Sequence, residues 1–255
     1  MASGKKQRLD HLLVELGLFP SADLASRAVM AGRVYVEGQK VSKAGTPVDS
    51  AAEITLAARE KYVGRGGLKL EAALDHFGIN PVGQVCVDIG ASTGGFTDCL
   101  LQRGATLVHS LDVGHSQLHW KLRADPRVLS REGFNARYLE PSDLSPTPTL
   151  AVGDVSFISL TLVLPAVFKV LPEGSHALFL IKPQFEVPKG SLPTGGVVRD
   201  ESMRQACISR IQTCVADSGQ EWLGCIRSPI TGHDGNIEYL AHLRRTSSAA
   251  PVFRN

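Results

Sequence analysis

The sequence lacks the features of a membrane protein or a disulfide-rich secreted protein. No apolar run approaches the ~18 residues that a membrane-spanning helix needs, and Asp10 and Glu15 interrupt the apolar stretch that a signal peptide would require. The five cysteines are odd in number and show neither a CxxC pair nor a Cys/His spacing typical of a metal site. We therefore expect a cytoplasmic protein with reduced thiols, no metal and no membrane partner.

The chain as a whole also has little excess of positive over negative charge. The formal net charge is +2 over 255 residues, so the total gives no indication of a nucleic-acid partner. The charge is uneven, however, because residues 1–43 carry seven Lys or Arg against four Asp or Glu. Such a segment could bind phosphates, although a charged helix face is usually only solvated.

The first block of the chain has the pattern of a small α+β domain. Leucines at helical spacing begin at Leu9, and Ser21 is a suitable N-cap for a second helix over residues 22–31. A Glu37-Gly38 turn flanked by valines predicts a hairpin, and a short strand over residues 53–56 follows. We predict a domain over residues 1–60 and a bendable linker over residues 61–66.

Three motifs in this block resemble the S4 RNA-binding fold, which occurs in a small-subunit ribosomal protein and in many RNA-modifying enzymes. They are Arg8-Leu9-Asp10, Ser26-Arg27, and the turn from Gly32-Arg33-Val34 to Gly38. The resemblance implies that Arg8, Arg27 and Arg33 contact RNA. The alternative for each arginine is a surface salt bridge.

The second block, residues 67–246, alternates apolar strands with helices, and residues 247–255 read as a tail. The expected strands are 85–89, 106–112, 150–154, 176–182, 222–227 and 237–243, and the expected helices are 67–77, 95–103, 116–123, 159–170 and 200–217. This alternation predicts an α/β fold of the Rossmann-like type, with a mostly parallel sheet covered on both faces. Ligands of such sheets bind beyond the carboxyl ends of the strands.

The first of these strands runs into a glycine-rich turn that predicts a cofactor site. The spacing is neither GxGxxG nor GxxxxGK[ST], so a dinucleotide is weakly supported and a P-loop is excluded. A carboxylate at Asp88 would repel phosphates but suits a cationic methionine group, and Asp112 can accept hydrogen bonds from ribose hydroxyls. We therefore predict S-adenosylmethionine, bound by Asp88, Gly90, Ser92, Gly94, Gly95 and Asp112. The alternative is a tight turn without a nucleotide.

Four further polar residues stand at places where apolar runs begin or end. They are Lys69, Asp154, Lys182 and Glu238. A lysine at the end of a five-residue apolar run is unlikely to be idle. Each residue alone could belong to a buried ion pair, but together they suit one cleft. Asn135, after a presumed short third strand, is a further candidate for the cofactor rim, although a residue without a cofactor role is the favoured interpretation.

The motifs of the second block resemble the TlyA, or haemolysin A, family of S4-fused, FtsJ-like ribose 2'-O-methyltransferases. The matching segments, in chain order, are GRGGLKL, VDIGASTGGFTDCLL, LDVG, GDVSFISL, IKPQFE and GHDGNIEYL. The resemblance implies a Lys-Asp-Lys-Glu catalytic tetrad that falls on the four residues above. It also implies methylation of cytidines in ribosomal RNA, and basic Arg65 beside the domain junction is a further candidate RNA contact. The residues before Asn135 depart from the usual family form, which leaves adenine contacts there open.

The mechanism that we expect uses Lys182 as the general base for a ribose hydroxyl. Lys182 must be neutral when it acts, Lys69 would favour that state by repulsion, and Asp154 and Glu238 would orient the two lysines. The negative charges of the carboxylates oppose this effect, and the sequence leaves the balance open. The glycine- and proline-rich stretch 183–197 is either a lid or a plain connection.

Two other functions remain open from the sequence. A non-catalytic RNA-binding or ribosome-assembly factor could keep the same fold, although the intact tetrad and glycine loop argue against it. A cytolysin, which the second family name suggests, would need a secretion signal or a lytic helix, and the sequence shows neither.

Overall fold

The computed structural model describes residues 5–57, 60–188, 190–232 and 234–247, so most of the predicted tail lies outside the described residues. The chain divides into two compact units, Met1–Glu60 and Lys61–Asn255. The segment 61–66, predicted as a linker, falls in the second unit, where Tyr62 is buried against Leu70. The domain boundaries drawn from the sequence stay a prediction.

The first unit is built from two short helices and five short strands. The helices are α1 (Leu9–Glu15) and α2 (Ala22–Met30), and the strands are β1 (Lys6–Arg8), β2 (Val34–Val36), β3 (Gln39–Lys40), β4 (Pro47–Asp49) and β5 (Ile54–Leu56). Strands β1 and β4 form an antiparallel pair, and the other three form an antiparallel sheet in the order β3-β2-β5.

Local chemistry explains where these elements begin and turn. The Ser21 hydroxyl accepts a hydrogen bond from the Leu24 amide (3.4 Å) and caps α2, as predicted. Glu37 and Gly38 both have positive φ (49° and 73°), the backbone of the two-residue turn that suits a twisted hairpin. The apolar faces of both helices pack on the sheet, with Leu9 and Val34 fully buried.

The second unit contains a seven-stranded sheet in the order β11-β12-β10-β9-β6-β7-β8. Its strands are β6 (Val85–Ile89), β7 (Leu107–Leu111), β8 (Val128–Arg131), β9 (Leu150–Gly153), β10 (His176–Ile181), β11 (Glu221–Arg227) and β12 (Tyr239–Arg244). All strands run parallel except β12, which is antiparallel to both of its neighbours. This is the α/β architecture that the sequence predicts.

Helices cover both faces of the sheet. They are α3 (Gly66–Phe77), α4 (Gly95–Gln102), α5 (Trp120–Arg123), α6 (Leu164–Val170), α7 (Pro183–Glu186) and α8 (Glu201–Asp217). Side chains alternate along a strand, so Val87 and Ile89 of β6 enter the core under α6 and α8, while Cys86 enters the core under α3 and α4. Among the described helices, none combines the length and the apolar character that crossing a bilayer takes.

The helices differ from the sequence-based expectation in three places. The expected helix 159–170 is a 3₁₀ turn, Leu160–Leu162, followed by α6, which has Pro165 in its first turn. The expected helix 116–123 is helical only in α5. The stretch 183–197, predicted as a loop, begins with the short helix α7.

Candidate active site

Two adjoining cavities lie at the carboxyl edge of the central strands of the second unit. The first has a volume of about 600 Å³ and the second about 470 Å³. Four residues line both cavities: Gly90, Ser92, Asp154 and Ser156. The walls that the cavities share therefore come from the loops after β6 and β9, which are neighbours in the sheet.

The turn after β6 brings the backbone close to both cavities. Gly90 has φ of +80°, and a Cβ atom there would lie 2.6 Å from the carbonyl oxygen of Asp154. Both the conformation and the space thus require glycine at this position. The Gly90 amide donates to the Leu111 carbonyl (2.9 Å), which fixes the turn against the end of β7.

Asp112 follows β7 and lines the first cavity. Its Oδ2 accepts a hydrogen bond from the Ser92 amide (2.7 Å), and its Oδ1 accepts one from the Gly114 amide (2.7 Å). Each carboxylate oxygen can accept a further hydrogen bond. The arrangement therefore holds a rigid double acceptor that suits the two hydroxyls of a ribose.

Asp88 lies beneath the glycine turn and does not appear in the lining of either cavity. It is fully buried, and its Oδ2 accepts a hydrogen bond from the Thr97 hydroxyl (2.7 Å). Burial raises the pKa of Asp88 to about 7. Its Oδ1 accepts no hydrogen bond from the described residues. The structure thus places Asp88 as a support of the turn rather than in the open part of the cavity.

The remaining candidates for the cofactor site differ in whether they line a cavity. Gly95 lines the second cavity, whereas Gly94 lines neither and instead packs against Leu118 and Leu122. Asn135 lines the first cavity, and its side-chain oxygen accepts a hydrogen bond from the Arg137 amide (3.0 Å). That contact caps a 3₁₀ turn, so local structure alone accounts for an asparagine at this position.

The four polar residues predicted to share one cleft all line the second cavity. Lys182 Nζ lies 2.6 Å from Asp154 Oδ1 and donates to the Ser156 hydroxyl (2.7 Å). Lys69 Nζ lies 2.6 Å from Glu238 Oε2 and 3.8 Å from Asp154 Oδ2. The result is a continuous row of alternating charge, Lys182–Asp154–Lys69–Glu238, whose formal charges cancel.

The topology of the sheet explains how these distant residues meet. Asp154 and Lys182 are the first residues after the parallel strands β9 and β10. Glu238 immediately precedes β12, and because β12 is antiparallel, its beginning lies at the same edge. Lys69 and Glu238 are buried, with exposed fractions of 8% and 2%. Charges removed from water to this extent need close partners, and the row provides them.

The arginines predicted to contact RNA have diverse surroundings. Arg27 pairs with exposed Asp23 (2.9 Å), the surface salt bridge named as the alternative, whereas Arg8 pairs with Asp10 (2.6 Å), whose side chain is buried. The Nε of Arg33 is buried without a hydrogen-bond partner among the described residues. Arg65 lines the second cavity beside the charged row.

Two residues of the site were missed by the sequence analysis. Ser156 contacts Lys182, and its only signal was its place two residues after Asp154. Glu186 is 2% exposed, and it accepts hydrogen bonds from the Leu160 amide (2.7 Å) and the Ser159 hydroxyl (2.6 Å). Burial raises the pKa of Glu186. Glu186 thereby ties the loop after β9 to the loop after β10.

The fold defines the class of the second unit, a Rossmann-like α/β domain. Its sheet resembles that of an S-adenosylmethionine-dependent methyltransferase from Mesorhizobium loti, with a TM-score of 0.52, 16% identity, and coverage of 71% of this chain and 100% of that chain. At this identity the likeness concerns the fold alone.

Sequence comparison defines the family. The FtsJ-like methyltransferase family matches residues 62–245, and the S4 domain matches residues 7–54. The chain therefore belongs to the FtsJ-like methyltransferase family and carries an S4 domain at its amino-terminal side. The resemblances drawn from the motifs are confirmed.

Relatives of this chain share both parts. A candidate rRNA methyltransferase of Bacillus subtilis, YqxC, is 46% identical over 94% of this chain and 86% of its own length. The 16S/23S rRNA (cytidine-2'-O)-methyltransferase TlyA of Mycobacterium tuberculosis is 40% identical over 96% of this chain and 92% of its own length. The structure of a candidate hemolysin from Streptococcus thermophilus superposes with a TM-score of 0.74 at 45% identity, covering 95% of this chain and 90% of that chain.

Proposed function

We propose that this protein transfers a methyl group from S-adenosylmethionine to the ribose 2'-hydroxyl of a cytidine in ribosomal RNA. The observation that carries the proposal is the position of Lys182, held by Asp154 and Ser156 where the two cavities adjoin. A nucleoside in the first cavity and a ribose in the second would meet at that point. The activity that names the mycobacterial relative supports the choice of substrate.

The residues of the first cavity fit S-adenosylmethionine. Asp112 presents two fixed acceptors for the ribose, and Gly90 leaves room beside the backbone. Leu111, Val113 and Phe134 add apolar wall for a purine ring. When bound, the cofactor would supply a methyl group on a positively charged sulfur, which becomes a neutral thioether when the methyl leaves.

Lys182 would act as the general base of the reaction. As the hydroxyl oxygen forms its bond to the methyl carbon, the hydroxyl proton passes to Lys182 Nζ, which must have lost its own proton beforehand. Asp154 and Ser156 fix the Nζ atom in place. Lys69 lies on the other side of Asp154 and competes for its negative charge, which weakens the hold of Asp154 on a charged Lys182.

Glu238 would complete this arrangement as a positioning residue. It holds Lys69 at 2.6 Å and is nearly fully buried, so it fixes Lys69 near Asp154 without facing solvent. Holding the base and the hydroxyl in line is expected to account for much of the rate acceleration.

The S4 domain and Arg65 would bind the RNA. Arg8, Arg27 and Arg33 are the candidate phosphate contacts in the first unit, and Arg65 lies beside the reacting atoms. The natural substrate would then be ribosomal RNA within ribosomal subunits, which places the protein in the cytoplasm.

Transfer of tritium from labelled S-adenosylmethionine to purified ribosomal subunits tests this proposal. We expect label in the RNA, and mapping of ribose methylation should show a new 2'-O-methylcytidine. Label on a base, or on protein, would contradict the proposal. Binding to subunits without any transfer would instead support the ribosome-assembly factor considered above.

A further inference from the structure

Exposed aromatic side chains are concentrated at one edge of the sheet. Within the described residues, the aromatic side chains among the exposed large hydrophobics are Trp120, Tyr138 and Phe157, with exposed fractions of 69%, 68% and 90%. They follow the carboxyl ends of β7, β8 and β9, respectively. Phe157 lines the first cavity, and large aromatic surface is costly to leave in water, so exposed aromatic side chains at this edge are candidates for binding.

Trp120 is the member of this group that local packing explains least. Leu118 and Leu122 on either side of it are buried against Gly94, and the His119 amide donates to the Thr93 carbonyl (3.1 Å). Thr93 lines the second cavity. The backbone of Trp120 is thus anchored to the turn that borders the proposed ribose site, while its ring remains in solvent.

The neighbours of the Trp120 ring include an imidazole and an ammonium. The His119 ring stacks near it, with centroids 5.7 Å apart and planes inclined by 29°, and Lys121 Nζ lies 5.8 Å from the indole centroid. Lys121 forms no ion pair within the part of the chain that the structure describes, so its charge remains available for a phosphate.

We propose that Trp120, flanked by His119 and Lys121, is a stacking surface for an unpaired nucleotide of the RNA substrate. An exposed indole offers a face to any base, and the adjacent ammonium suits the phosphate of the same nucleotide. A protein partner would need further apolar area beside the tryptophan for the core of an interface, whereas the neighbours of Trp120 in sequence are an imidazole, whose ring stacks near the indole, and a cation. The inference rests on the proposed function, because it concerns how the same site receives its RNA.

Steady-state methylation of ribosomal subunits by the full chain tests the surface. For Trp120→Ala we expect the KM for RNA to rise about 5- to 100-fold, the range of one lost base stack, with kcat and the affinity for S-adenosylmethionine unchanged. Trp120→Phe, which keeps a stacking face, should recover most of the loss. Val82→Ala is the matched control, since Val82 is 64% exposed but precedes β6 at the opposite edge of the sheet.

Fluorescence gives a second measurement that does not depend on catalysis. The chain has two tryptophans, so Trp222→Phe leaves Trp120 as the only indole emitter. Titration of this variant with a single-stranded oligocytidylate should quench the emission. Failure of the wild type to methylate subunits would overturn the proposed function, while the quenching would still decide the role of Trp120. No quenching, an unchanged KM in Trp120→Ala, or a lost affinity for S-adenosylmethionine would each overturn the inference.

Discussion

The two units of the chain hold their positive charges in opposite ways. In the first unit, Arg8 and Arg27 have side chains that are 59% and 70% exposed; Arg27 pairs with exposed Asp23, whereas Arg8 pairs with buried Asp10. In the second unit, the side chains of Lys69 and Lys182 are 10% and 11% exposed and are held between carboxylates. The Arg8 guanidinium also lowers the pKa of Asp10.

This difference shows which cations can leave their partners without a large loss of stability. An ion pair that is exposed on both sides contributes little to stability because water and salt screen it, so Arg27 can leave Asp23 for a phosphate. Withdrawal of Arg8 would leave the buried carboxylate of Asp10 without its cation. A buried lysine loses hydration and persists only with close, well-oriented acids. The buried lysines are therefore fixed in geometry, which suits the proposed reaction centre, whereas exposed Arg27 can change its partner, which suits the proposed RNA contact.

The largest effect that would sharpen this comparison is expected at Lys182. Lys182→Arg keeps a positive charge near Asp154 but cannot give up a proton, so we expect methyl transfer to fall about 10²- to 10⁴-fold. Lys182→Ala should lose activity to a similar extent. Calorimetry should show S-adenosylmethionine binding retained in both variants, and normal turnover in either would exclude Lys182 as the base.

An effect of intermediate size is expected at Asp88. Its carboxyl is buried, and it has no ion-pair partner among the described residues. Because burial raises its pKa from 3.8 to about 7, the folded protein keeps a proton there that the unfolded chain releases. The free energy of unfolding should therefore fall as pH rises between those two values. Asp88→Asn should remove this part of the slope, as measured by urea denaturation at a series of pH values. Identical slopes in wild type and variant would contradict the raised pKa.

The affinity of the same variant for the cofactor is the second measurement on Asp88. Asp88 supports the glycine turn through Thr97, and asparagine keeps an acceptor for that hydroxyl. We therefore expect Asp88→Asn to bind S-adenosylmethionine more weakly than wild type but better than Asp88→Ala. Unchanged calorimetric affinity in Asp88→Ala would remove Asp88 from the proposed site.

The smallest effect is expected in the first unit. Arg27→Lys should leave RNA affinity nearly unchanged, and Arg27→Ala should weaken it about fivefold and reduce the salt dependence by about one phosphate contact. Asp23→Asn is the control, because it frees Arg27 without removing it and should not weaken binding. If Arg27→Lys lowered RNA affinity by as large a factor as Lys182→Arg lowers methyl transfer, the contrast between the two units would be wrong.

Strand ends were the most predictable part of the site. The apolar runs before Asp154 and Lys182 stop at Gly153 and Ile181, so the sequence alone placed both residues at the carboxyl edge. Glu238 could be placed beside them only through the tetrad that the resemblance implied, because periodicity does not reveal the antiparallel direction of β12. Long-range partners such as Ser156 with Lys182 leave no periodic signal.

Asp88 shows that a correctly predicted strand does not settle the surroundings of its side chains. Alternation along β6 places Asp88 on the face opposite Val87 and Ile89, but alternation does not tell which side chain of the covering helix meets the carboxyl. Helix α4 covers that face and brings Thr97 to the carboxyl. Helix α5 is shorter than predicted because the residue before it bonds elsewhere. The His119 amide donates to the Thr93 carbonyl of the glycine turn rather than to a carbonyl within a helix.

The close approach of Gly90 to the Asp154 carbonyl has a consequence for how the enzyme can evolve. A single added methyl at this position would push against the Asp154 carbonyl at the end of β9 while also reshaping the turn that lines both cavities. In the proposed function, a substitution of Gly90 would therefore impair cofactor binding and proton transfer together. Improvement of either step is therefore confined to substitutions elsewhere in the two cavities.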